Sequence, residues 1–368
     1  MVFALTSGTK SPITAATGTR AFRYTDGTLC VEVSASTSAW SSDGVTWSTS
    51  PIGGRAAPGP GLGANETAAL YVAATEIVSM ARQLTGSASP WSLAQRRSTN
   101  DWVTVSSETS SVAQPFSIAY NPPGESRVPS MLFDRGVIKL ASGDLIALLY
   151  GLITGDATPC AGWPTAYGSM KARIMRVSSS DKGVTWIGAN GVMSGLALGR
   201  GTGASPDPLD IMPVPMVSLE GTTTNCMAIA ASGSVLCFAR SGARLATQQA
   251  PVQATPIYYT VSSGTFGSTS TPLALSLGVD TTLCGDAPSA VVLDNGIVVV
   301  GYTLPGTGVY LVFSLDNGAT WGNLNLIGGP TTFRITLIKT TGNNFLAFYQ
   351  DSTLPGTPFV CRPYTATL

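Results

Sequence analysis

Ser314-Leu-Asp-Asn-Gly-Ala-Thr-Trp321 and Ser179-Ser-Asp-Lys-Gly-Val-Thr-Trp186 repeat one pattern, Ser-x-Asp-x-Gly-x-Thr-Trp, and Ser41-Ser-Asp-Gly-Val-Thr-Trp47 repeats it one residue short. Each residue type has a mechanical task. The carboxylate accepts backbone N–H groups of a tight turn, glycine takes the positive φ, and tryptophan packs beneath. Such a turn is a staple between strands and contains no reacting group. Its carboxylates fall at Asp43, Asp181 and Asp316, intervals a little over one third of the 368 residues. Worn copies stand between, at Ser98-Thr-Asn-Asp-Trp-Val-Thr104 and, with Phe for Trp, at Ser262-Ser-Gly-Thr-Phe266.

Around these turns the chain repeats a strand, a short turn and a second strand six times. The cores are Ala21 to Val31, Thr67 to Met80, Pro129 to Tyr150, Cys226 to Arg240, Pro288 to Val300 and Arg334 to Tyr349. Apolar residues on both sides of each strand predict sheets buried on both faces, as when blades pack face to face. A 60-residue repeat of this kind, about one sixth of the chain, is how a propeller reads. The expected fold is all-β: a six-bladed β-propeller of four-stranded antiparallel blades in a single domain over residues 1–368. The blades fall at about 15–56, 57–112, 113–195, 196–276, 277–330 and 331–368. The last unit is too short for four strands, so residues 1–14, with Val2-Phe-Ala-Leu-Thr6, are expected to return as its missing strand and remove exposed edges.

Composition agrees with this class and excludes others. Hydrophobic residues make up 44% and charged residues 11%, with 41 Gly and 24 Pro, a balance suited to many short strands. Twenty basic residues balance twenty acidic ones, leaving no net field to draw nucleic acid or an anionic membrane. Any anion recognition is local, and the excess of Arg over Lys favours planar, bidentate pairing with carboxylates. The chain has no histidine, which removes imidazole metal sites and every triad or dyad that needs one. No cofactor is expected, and no metal, although isolated loop Asp residues leave calcium open. The six cysteines read as buried free thiols. The first residues carry no basic leader or long apolar stretch, so synthesis in a cytoplasm without a signal peptide is expected.

The Ser-x-Asp turns, called Asp boxes, resemble those of the sialidase superfamily, whose members fold as six-bladed propellers and mostly bind or cleave glycans. Arg127-Val-Pro-Ser-Met-Leu132 is similar to that family's Arg-Ile-Pro motif. By this resemblance Arg127 is the first of three arginines that clamp a substrate carboxylate. Asp156, in the loop after the next hairpin, stands where the family carries its acid/base, and reads equally as a loop-capping residue. Arg240, seven residues beyond the turn glycine Gly233, matches the second clamp arginine. From there the chain departs from the family. Thr224-Asn225-Cys226 occupies the stretch of the nucleophile's partner Glu, the nearest carboxylate being Glu220. Gly306 stands where a third arginine belongs, and Phe333 and Arg334 stand where a nucleophilic tyrosine belongs. Arg334 offers a positive charge from a neighbouring strand. Trp163 and Tyr167 are candidates to stack on sugar faces.

Three readings stay open. One is a glycan-binding module, set in a phage or virion receptor-binding protein, whose partners are a cell-surface glycan or polysaccharide and other virion or cell-surface proteins. A second is a glycoside hydrolase with a rearranged pair of carboxylates drawn from Asp156, Glu220, Asp286 and Glu66. The third is a structural ring with a vestigial pocket.

Overall fold

The computed structural model describes residues 2–13, 21–32, 38–56, 67–83, 92–106, 137–152, 172–184, 187–188, 191–192, 225–243, 253–261, 273–274, 288–304, 307–330, 335–356 and 358–368. Tight turns set their pattern. At Gly27, Gly143, Gly233 and Gly296 the backbone enters the left-handed region, with φ of 90°, 95°, 85° and 84°, where a Cβ would be strained. Each such turn reverses the chain between two antiparallel strands.

The strands, in chain order, form six antiparallel sheets among the described residues. β1 (Ala4–Ser7) and β2 (Ser11–Ile13) join the last of them. The first sheet is β3 (Ala21–Arg23), β4 (Leu29–Glu32) and β5 (Ser38–Ser41). The second is β6 (Thr67–Tyr71), β7 (Ile77–Gln83) and β8 (Ser92–Ser98). The third is β9 (Val137–Lys139), β10 (Leu145–Leu152), β11 (Ala172–Ser179), β12 (Ile187–Gly188) and β13 (Gly191–Val192). The fourth is β14 (Asn225–Ile229), β15 (Val235–Ala243), β16 (Gln253–Val261) and β17 (Leu273–Ala274). The fifth is β18 (Ser289–Val292), β19 (Val298–Leu304), β20 (Gly308–Ser314) and β21 (Gly322–Gly328). The sixth is β22 (Thr336–Lys339), β23 (Asn344–Gln350) and β24 (Phe359–Thr367), with β1 and β2 both paired to β24. No helix among the described residues is long and apolar enough to cross a membrane.

The sheets therefore hold three, four or five described strands and are not uniformly four-stranded. Inner hairpins are fixed by local turns. Outer strands are edges whose pairing depends on distant segments, and β12 and β13 shrink to two residues each.

Alternation along the strands divides side chains between two neighbouring sheets. Val298, Val300 and Tyr302 of the fifth sheet pack against Cys226, Leu236 and Phe238 of the fourth. The intervening Ile297 and Val299 face Ile335, Phe345 and Ala347 of the sixth. On the sixth sheet's other side, Leu346, Phe348 and Cys361 meet Leu29, Val31 and Ala39 of the first. The first sheet's opposite face, Tyr24, Cys30 and Trp40, meets Ile77 and Trp102 of the second. First strands are correspondingly adjacent: β6 with β9, β9 with β14, β14 with β18, β18 with β22, and β22 with β3. Burial on both faces, expected from the unbroken apolar runs, is thus observed across these junctions. Cys30, Cys226 and Cys361 are buried free thiols, and burial pushes the Cys30 and Cys361 thiols up to about 12.

The sixth sheet takes its outer strands from the start of the chain, as Val2 to Thr6 led one to expect. Between the pairs Ser7↔Tyr364 and Ser11↔Cys361, three residues oppose two, which makes a bulge. Its first residue has to be small, because a Cβ on Gly8 would lie 2.6 Å from Pro363 Cγ. Gly8 N–H donates to the Pro363 carbonyl at 2.9 Å. The bulge carries Lys10 to Asp351, whose side chain is 0% exposed. Asp351 Oδ1 also accepts from the Thr353 amide (3.0 Å), the Thr353 hydroxyl (2.6 Å) and the Gly329 amide (3.3 Å). Burial opposes the Asp351 charge, but the Lys10 ammonium, the Thr353 hydroxyl and these amides outweigh it and hold the carboxyl below its ordinary value.

Lys10→Met keeps most of the stem and removes the charge, leaving a buried carboxylate without its cation. We expect a loss of about 3 kcal/mol at neutral pH, measured by urea denaturation. Because the folded carboxyl titrates below its unfolded value of about 3.9, the pair's contribution is complete above that value. It is lost as pH falls through the lower folded value. Wild type and variant should converge in acid, and a difference that persists there would assign the effect to packing instead.

Candidate functional site

The described hairpin turns lie at one end of their sheets and touch from sheet to sheet. Lys139 Nζ donates to the Val72 carbonyl at 2.8 Å, and Asn295 N–H donates to Asn343 Oδ1 at 3.0 Å. Because the strands are antiparallel, the turns that follow β5, β8, β11 and β20 lie at this same end. These are the Ser-x-Asp turns.

In the fifth sheet, Ser314 Oγ donates to Asp316 Oδ1 at 2.8 Å and accepts from Gly318 N–H at 2.8 Å. Asp316 accepts from the Thr320 amide (2.8 Å) and hydroxyl (2.6 Å). Burial works against that carboxylate, yet the Thr320 and Ser314 donors outweigh it and keep it below the ordinary range. In the third sheet, Ser179 Oγ repeats the bonds to Asp181 (2.7 Å) and Gly183 (2.8 Å). The short first copy closes with Gly44 alone at φ 74°. Its Asp43 Oδ1 accepts from the Thr46 and Val45 amides, both at 2.8 Å, which with the Ser41 hydroxyl hold the carboxyl at about 2. Two of the tryptophans cross to the neighbouring sheet: Trp321 meets Phe238 edge-on at 5.6 Å, and Trp47 meets Phe348 of the sixth sheet at 5.9 Å.

The second sheet's worn copy is the same staple. Ser98 Oγ donates to Asn100 Oδ1 at 3.0 Å, and Asn100 Oδ1 accepts from Thr104 N–H at 2.9 Å. Trp102 occupies the glycine position at φ 70° and donates its N–H to Ser98 Oγ at 2.9 Å. Its ring is 2% exposed, among Tyr24, Cys30, Trp40 and Ile77. Val105 takes the position where the other copies carry tryptophan and packs beside it. The sequence signal was present, since Asn is an amide isostere of Asp, and the displaced tryptophan is what made the copy read as worn.

The residues proposed for chemistry belong to other parts of the chain. Arg127, Asp156, Trp163, Tyr167, Glu220, Asp286, Glu66 and Arg334 lie outside the described residues. Arg240 stands on β15 opposite Pro256, at the strand end remote from the Ala230–Gly233 turn. At that same far end, Asp351 follows β23 and is already committed to Lys10. Among the described residues no group of three or more His, Cys, Asp or Glu is arranged to hold a metal ion.

No family model matches the sequence, and no curated relative matches it. Solved structures do. A point mutant of the α-L-arabinofuranosidase from Fusarium graminearum, in complex with an iminosugar inhibitor, matches with a TM-score of 0.61 at 11% identity over 98% of both chains. The α-L-arabinanase from Penicillium chrysogenum, complexed with arabinobiose, gives 0.57 at 13% identity over 98% of both chains. The Hadza microbial sialidase Hz136 gives 0.57 at 16% identity, over 96% of this chain and 66% of that one, just under two thirds of its length. These are β-propeller glycosidases, and at such identities the likeness is one of fold alone.

Proposed function

We propose that the chain is a closed, six-bladed β-propeller of sialidase type that recognises an acidic or cell-surface glycan through an arginine-lined axial pocket. Arg127, Arg240 and Arg334 supply the positive charge and Trp163 a stacking face. The observation that carries the reading is that the fifth, sixth and first sheets each share their two faces with two neighbours, in a run from the fourth sheet to the second. Strands arranged so converge at an axis, and ligands of propellers gather there. The likeness to sugar-processing enzymes supports a glycan as ligand. Low charge and a Ser/Thr/Gly/Ala-rich chain support a setting on a phage or similar particle, where the propeller serves as receptor-binding protein.

The likeness to glycosidases in complex with an iminosugar and with arabinobiose favours a second reading, a glycoside hydrolase. Asp156 and Glu220 are then the acid/base pair, with Asp286 and Glu66 as further candidates.

Arg127→Ala tests both. Losing charge-assisted bonds to a carboxylate is expected to weaken binding of an acidic glycan roughly 10- to 100-fold by calorimetry. On fluorogenic sialosides, arabinosides and bacterial polysaccharides, turnover lost in the variant supports the hydrolase. Binding without turnover supports the receptor. Equal affinity of the wild type and the Arg127→Ala variant for acidic glycans overturns the arginine pocket.

A further inference from the structure

We infer that the residue between the carboxylate (or Asn) and the glycine position of each full-length Ser-x-Asp turn is a docking latch, matched to the turns at the facing end of the preceding sheet. These residues are Asp101, Lys182 and Asn317, with φ of 59°, 59° and 58°. Glycine occupies that region without penalty, and lysine has no local reason to be there. None of the three is glycine, and each side chain reaches across a junction. Asp101 Oδ2 pairs with Arg55 Nη2 at 2.6 Å and accepts from the Thr25 hydroxyl at 3.3 Å, both on the first sheet's side. Lys182 Nζ meets Glu76 Oε2 of the second sheet's hairpin at 2.8 Å, and Arg97 Nη2 donates to the Lys182 carbonyl at 2.9 Å. Asn317 Oδ1 accepts from Ser232 N–H, in the fourth sheet's hairpin, at 3.2 Å.

The three junctions use different chemistry: an acid against a guanidinium, an ammonium against a carboxylate, and an amide against a backbone N–H. A turn docked on the wrong hairpin meets a like charge or an unpaired group, so the latches discriminate between neighbours as well as join them. The short first turn lacks this position, Gly44 following Asp43 directly. Among the described residues, none of its side chains bonds to the sixth sheet's hairpin.

Glycine substitution separates a latch from a mere turn residue by sign. If only the turn matters, Lys182→Gly and Asn317→Gly relieve the left-handed backbone and leave Tm unchanged or higher. If the side chains are latches, Tm falls by about 1–3 °C. Amide exchange of the partner hairpin also quickens roughly two- to five-fold, at residues 72–76 for Lys182→Gly and 230–234 for Asn317→Gly. In a Glu76→Gln background the Lys182→Gly effect shrinks, since the latch has already lost its partner. Higher Tm with unchanged exchange across the junction would overturn the inference.

Discussion

Asp101→Ala is expected to destabilise the protein by about 3–5 kcal/mol, read as a lower denaturant midpoint at unchanged slope. Its carboxylate is the anion of a nearly closed cluster. Arg55 and Asp101 side chains are each 11% exposed, and the guanidinium lies 4.6 Å from the centre of the Tyr24 ring. Arg55 Nε donates to the Asp101 carbonyl at 3.2 Å, and Nη1 meets Asp26 at 2.8 Å. The Tyr71 hydroxyl donates to Asp101 Oδ1 and itself accepts from Thr25 N–H at 3.1 Å. Burial, together with the bond to Asp101, pushes the Tyr71 hydroxyl up, so it remains a donor. Truncation leaves a largely buried guanidinium with one exposed carboxylate partner and takes from Tyr71 its acceptor. It also puts alanine at φ 59°, where Asp is better tolerated. Asp101→Asn keeps the backbone preference and an acceptor but loses the charge, and should fall between. A loss below about 1 kcal/mol for Asp101→Ala would mean that Asp26 alone satisfies Arg55.

Trp102→Gly sets two large terms against each other. Glycine relieves a bulky side chain at φ 70°, worth about 1–2 kcal/mol. It also empties a site in which the ring is 2% exposed, and truncating such a tryptophan costs about 3–5 kcal/mol. Burial wins, so a net loss of about 1–4 kcal/mol is expected. The double variant Trp102→Gly/Val105→Trp gives Ser-Thr-Asn-Asp-Gly-Val-Thr-Trp, the regular order of the other turns. It should recover most of the loss, because the ring returns to the pocket from its usual position with glycine at the left-handed one. Failure of the double variant to exceed Trp102→Gly would show that the ring is held by its own backbone site and not by the shared pocket.

This second turn also marks how far the sequence could be read. The six strand-turn-strand cores were legible because local turns fix them, and alternating apolar residues announced two buried faces. Asn100 and Trp102 made the turn look degraded, since a rule that reserves positive φ for glycine rejects tryptophan. Only the pocket formed by Tyr24, Trp40 and Ile77, supplied by distant segments, makes that position tolerable. The outer strands were less legible for the same reason: β24 pairs with β1 and β2, and no local pattern specifies that register. The chemistry was least legible. Its residues were assigned by likeness to a family motif and by no apolar periodicity; Arg127, Asp156, Trp163, Glu220 and Arg334 lie outside the described residues, and Arg240 is fixed only in its strand position.

The pairing of β1 and β2 with β24 joins strands that are made long before their partner. On a ribosome, Ala4 and Ile13 must wait for Thr367 and Phe359 to emerge before their hydrogen bonds exist. Until then the sixth sheet has no outer edge, and the Asp351 carboxylate has no cation. Completion of the sixth sheet is therefore an event of very high contact order, and the interval before it is when chains can exchange these strands with one another.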